Sequence, residues 1–154
     1  MQKLNFDTGV KEYAINGNGV LRFNPGDPNV YARFMDAMEK IRELEEKLVS
    51  QAKALEGNED REASGAAVLR LLAQADREIK DVLTQVFGQE NDFDKLLGGV
   101  NLLAVAGIGQ RVITNLLEAL QPIMVAGAES CARQQVDGAV EQARLNRAQR
   151  RGLA

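Results

Sequence analysis

From Val82 to Met124 the chain reads VLTQVFGQENDFDKLLGGVNLLAVAGIGQRVITNLLEALQPIM, densely apolar but cut by Gly88, Gly98-Gly99, Gly107 and Gly109. Glycine inside a helix costs about 1 kcal/mol relative to alanine, so so apolar and so broken a segment folds back on itself and forms the core that the rest must cover. Phe93, Leu96 and Leu97 give a one-turn apolar face after Asn91, which is suited to cap the turn, with Asp92 and Asp94 at the positive helix end. Val112, Ile113, Leu116, Leu117 and Leu120 then recur at the spacing of a wide apolar stripe on one side of a helix.

The chain before this segment divides cleanly. Up to Asp27, β-formers alternate with polar residues around Asn16-Gly17-Asn18-Gly19, a sequence that tolerates positive φ and closes two strands. Val10–Ile15 and Val20–Phe23 read as that pair, with Leu4–Phe6 as a possible third strand. A two-stranded ribbon is marginal alone. It therefore docks on the helices as a structural flap, or offers an edge that pairs between subunits. Asp27 is a good N-cap and Pro28 a good first helical residue, and Tyr31, Phe34, Met38, Ile41, Leu44, Leu48, Ala52 and Leu55 follow at three- and four-residue steps. Met35 and Val49 fall off this seam, so it is no strict coiled coil.

The Glu56–Asp60 stretch breaks the pattern, and Asp60 or Ser64 caps a second helix that runs through Val68, Leu72, Ala75, Ile79, Val82 and Val86 to Gly88. A short connection sets the two helices antiparallel. Pro122 should kink or restart the last helix, because it lacks a donor and crowds the preceding turn. The arginines of RLNRAQRRGLA mark a frayed, mobile basic tail. The fold expected is mainly α: a bundle of four to five helices with a small N-terminal β-hairpin. Residues 1–143 form one domain, with the hairpin in 1–26 and the helical core in 27–143, and 144–154 form the flexible tail.

Several classes of function lose their chemistry at this stage. The chain has no histidine, which removes the commonest general base and neutral metal ligand. Its one cysteine, Cys131, excludes an intramolecular disulfide and suits a reducing compartment. No run approaches the length of a membrane span, and MQKLNFDTGV lacks the apolar centre of a signal peptide. With no Trp and only 5% aromatic residues the core is expected to be aliphatic. The glycines of GVNLLAVAGIG follow no phosphate-loop spacing, and Asp92 and Asp94 are accounted for by the helix start. The expectation is a non-enzymatic cytoplasmic protein with no cofactor and no metal.

Two stretches remain as candidate partner sites. Val112, Leu116 and Leu120, on a stripe wider than one neighbouring helix covers, are suited to a helical client in a groove against the Phe93–Leu97 helix, unless the stripe is ordinary core. Arg144, Arg147, Arg150 and Arg151 form a run without an acid that speeds encounter with an acidic partner. The same arginines can hold phosphates, but aromatic residues for base stacking are missing beside them, which disfavours nucleic acid.

Taken together, LNFDTGVKEYAINGNGVLRFNPGDPNVYARF, the VFG at Val86–Gly88, DFDKLLGGVNLLAV, ITNLLEALQPIM and NRAQRR resemble the tail assembly chaperones of long-tailed bacteriophages and prophages of Gram-positive bacteria. The resemblance covers most of the chain through structural motifs. It implies a small, mainly helical protein of the host cytoplasm that binds the tape measure protein and keeps it soluble while tail tube subunits polymerise, and that is absent from the mature virion. The major tail tube protein is a possible second partner, and homo-oligomers, as rings, short spirals or dimers, are expected. The alternatives are a structural tail or connector component and a nucleic-acid-binding phage accessory protein.

Overall fold

The structure, a computed structural model, describes residues 1–57, 60–107 and 109–152. Asn58 and Glu59 of the expected break, Ile108 of the glycine-rich run, and Leu153 and Ala154 of the expected tail lie outside the described residues. The described chain forms an antiparallel hairpin, β1 (Lys11–Ile15) and β2 (Gly19–Phe23), followed by α1 (Pro28–Leu55), α2 (Arg61–Phe87), α3 (Phe93–Leu96) and α4 (Val112–Gly152). This is the mainly helical bundle with an N-terminal hairpin that the periodicity called for.

The hairpin turns where Asn16 and Gly17 both take positive φ, and the Asn18 N–H closes the turn on the Ile15 carbonyl. Asp27 caps α1 by accepting from the Asn29 N–H, with Pro28 opening the helix, and Asp60 caps α2 by accepting from Glu62 and Ala63. α1 and α2 run antiparallel. Arg33, near the start of α1, donates to the Val86 carbonyl near the end of α2, while Ser64 at the start of α2 reaches the Leu55 carbonyl at the end of α1.

Between them Phe34, Ala37 and Ile41 meet Ala75, Ile79, Leu83 and Val86, and β2 adds Leu21 and Phe23. Low aromatic content does not make this core purely aliphatic. Four of the five phenylalanines gather at one point, with the Phe87 ring 4.8 Å from Phe23, 6.5 Å from Phe34 and 5.6 Å from Phe93. The fifth, Phe6, is exposed.

Leu4–Phe6 forms no strand, and all of residues 1–10 are exposed. Asn91 is not the cap of α3: Asp92 takes that role through the Lys95 N–H. Asn91 is instead buried, accepting from the Arg22 N–H and donating to the Arg22 and Phe87 carbonyls, so it ties β2 to the end of α2. The loop between α3 and α4 turns at Gly98 and Gly99, both at positive φ, and ends in a bridge between Val105 and Arg111. Arg111 then pairs with Glu45 of α1 at 3.1 Å.

α4 does not stop at Pro122, which lies inside the helix. Pro122 and Glu118, whose carbonyl loses its helical donor, are both exposed, so water can satisfy that carbonyl, while buried Leu120 and Met124 hold the helix to the core on either side. The helix also continues through Arg144 to Gly152, where the sequence reading placed a tail.

Candidate functional site

A cleft of about 610 Å³ lies between the second half of α2 and the α3 region. At its floor the Lys80 ammonium donates to Asp76 Oδ2 at 2.8 Å, Asp94 Oδ1 at 2.7 Å and the Val100 carbonyl at 3.0 Å, which uses all three of its donors. Asp76 Oδ1 in turn accepts from the Leu102 N–H at 2.7 Å. Burial works against the charge on Lys80, but the hydrogen bonds and negative charges of Asp76 and Asp94 outweigh it and raise the lysine pKa. An amine that serves as nucleophile or base must give up its proton readily. Here the surroundings hold that proton more firmly, and the cluster acts as a clamp fastening the 94–102 loop to α2.

The second candidate is α4, whose 41 residues extend for about 60 Å. Its first three turns enter the core. Of the predicted stripe, Leu120 and Ile113 are buried, while Val112, Leu116 and Leu117 are half-buried and packed on the same cluster. The short α3 lies against α2 and β2 rather than opening a groove with this stripe. From Ala132 onward every described residue of α4 is exposed, so Arg144, Arg147, Arg150 and Arg151 stand in solvent, away from Val112, Leu116 and Leu120. The structure therefore separates the two sets of candidate residues along one helix.

That outer half carries a pattern of its own. Val125, Ala132, Val136, Ala139, Val140 and Ala143 recur at the three-, four- and seven-residue steps of a single helical face. Val136 is 62% and Val140 50% exposed. The 132–152 segment has five arginines against Asp137 and Glu141, whereas the whole chain is net negative. The apolar face spans 132–143, and Arg144, Arg147, Arg150 and Arg151 continue the helix beyond it, along a segment exposed at every described residue. Sequence reading missed it because alanine and valine at these positions look like thinning hydrophobicity unless the helix is known to continue past Pro122.

Two further features had no clear sequence signal. Gly127 meets the Pro25–Gly26 backbone so closely that an added Cβ would overlap the Pro25 carbonyl, which makes this glycine the contact that seats α4 against the loop after β2. Beside it a groove of about 520 Å³ opens between the start of β1 and α4, with Cys131 in its wall. Among the described residues no helix is long and apolar enough to cross a membrane, and no three His, Cys, Asp or Glu side chains gather to hold a metal ion. No family model, curated protein or solved structure matches the chain.

Proposed function

We propose that this chain is a tail assembly chaperone of a long-tailed bacteriophage or prophage, a non-catalytic protein that binds the tape measure protein and keeps it soluble in the host cytoplasm during tail tube assembly. The observation that carries the reading is the outer half of α4, a helix exposed at every described residue from Ala132 to Gly152, with an apolar face over 132–143 followed by four arginines over 144–151. A tape measure protein is a long, apolar, helical client. A projecting amphipathic helix can pair with such a client along many turns without opening its own core. The likeness of the hairpin, DFDKLLGGVNLLAV and NRAQRR segments to that chaperone family supports the same reading. On it the protein works as a homo-oligomer, with the tail tube protein as a further contact.

The test is co-expression with a tape measure fragment. The intact chain should keep the fragment in the soluble fraction, and the chain truncated after Cys131 should fold but lose this effect. Retention of the client by the truncated chain would overturn the role given to α4. Binding of duplex or single-stranded nucleic acid by the arginine segment, with no effect on the client, would favour the accessory-protein reading instead.

A further inference from the structure

The two edges of the hairpin are treated differently. On β2, Arg22 turns its N–H and C=O away from β1, and Asn91 takes both, so that edge is closed at Arg22 and open only at Val20 beside the turn. Antiparallel pairing alternates, so Glu12 opposite Arg22, and Ala14 opposite Val20, turn their own N–H and C=O outward from β1. No described residue bonds to them there. An open edge of this kind is a template for another strand. A strand added along it would point alternate side chains to the same side as Lys11 and Tyr13. That side is the groove of about 520 Å³, where Tyr13 faces Pro25 and the α4 residues Ile123, Ala126 and Cys131.

The chain also carries an exposed segment before β1 that forms no strand of its own. Residues 1–10 are exposed throughout, and within them Leu4 and Phe6, 85% and 76% exposed, are two residues apart and so share one face of an extended strand. Their own groove is not where they lie. The Gly9 N–H is held by Asp7 Oδ1, Gly9 takes positive φ, and Asn24 donates to the Thr8 carbonyl, which together fix the base of the arm, and residues 1–6 beyond it are all exposed.

We propose that residues 2–7 of one copy add as a third strand to the open edge of β1 in a second copy, seating Leu4 and Phe6 in the groove over α4. The complementarity is twofold: a backbone edge with unpaired donors and acceptors meets an extended arm with the same, and two exposed large apolar side chains meet the Tyr13, Pro25, Ile123 and Ala126 part of the groove wall on the matching face. Because each copy both gives an arm and accepts one, the contact closes as a reciprocal dimer or repeats head to tail. It stands on this geometry alone and does not depend on the proposed client.

Cys131, in the wall of the groove, provides the test. In the Phe6→Cys variant, mild oxidation should join the arm of one chain to Cys131 of another, giving covalent dimers and larger species on a non-reducing gel that are absent from the Phe6→Cys/Cys131→Ala variant. Deletion of residues 2–7 should bring the mass measured by light scattering down to the 16.8 kDa scale of one chain with unchanged helical circular dichroism, and a peptide of residues 1–10 in excess should do the same to the intact protein. Cross-linking only within a chain, equal cross-linking in both variants, or an assembly whose mass survives the deletion would each overturn the proposal. So would displacement of the arm peptide by a tape measure fragment, which would assign the groove to the client.

Discussion

Lys80 shows how one residue decides what a polar cleft does. Its side chain is only 7% exposed and its charge is shared between buried Asp76 and largely exposed Asp94. Removing the lysine leaves Asp76 as an uncompensated buried charge, so Lys80→Met should cost about 3–5 kcal/mol in urea unfolding. Asp94→Asn, on the solvent side, should cost less than about 1 kcal/mol. The lysine pKa is raised above its ordinary 10.5 in the folded state. Its contribution is therefore complete below that value and is lost only as pH rises through the raised one, so stability between pH 6 and 9 should show no slope that Lys80→Met removes. Gly127→Ala forces a methyl into the Pro25 carbonyl and should cost about 1–3 kcal/mol. A melt within 1 °C of the parent would show that the loop yields freely. Neither site was legible from local pattern, because the partners of Lys80 at Asp94 and Val100 and the contact of Gly127 with Pro25 lie far along the chain.

At the scale of elements, α4 is one helix in two surroundings, core for its first turns and solvent for its outer half. Its first turns belong to the core, so Leu120→Asp buries a charge without a partner and should unfold the protein. Its outer half makes no buried contact, so Val136→Asp should change stability by less than about 0.5 kcal/mol while abolishing client solubilisation. Truncation after Ala143 removes described residues that are all exposed and should leave the melting temperature unchanged. A loss of several degrees would show that the basic end packs somewhere. The helix persists in solvent because alanine, glutamine, glutamate and arginine are strong helix formers, enough to offset Gly138.

Across the whole molecule, large apolar side chains stand exposed on α2 at Leu69 and in the loop at Val105, and also at two extremities, the N-terminal arm with Leu4 and Phe6 and the outer α4 with Val136 and Val140. Burying both within one chain is not what the fold does, so light scattering should return a mass above 16.8 kDa. A strictly monomeric protein across a wide concentration range would contradict this.

The sequence by itself determined the elements. Asp27-Pro28, Asp60 and Gly88 mark helix ends through capping chemistry that acts over one turn, and Asn16-Gly17 marks the hairpin through its tolerance of positive φ. These signals are local, and local pattern carries them whole. Tertiary structure alone decided that Asn91 would close the edge of β2 rather than cap α3, that Lys80 would be clamped by Asp94 and the Val100 carbonyl, and that α4 would run on past Pro122. The physical reason is shared. Each outcome depends on which buried donor or acceptor finds a partner tens of residues away, or on packing to either side of a weak point, and neither is written in the spacing of neighbouring residues.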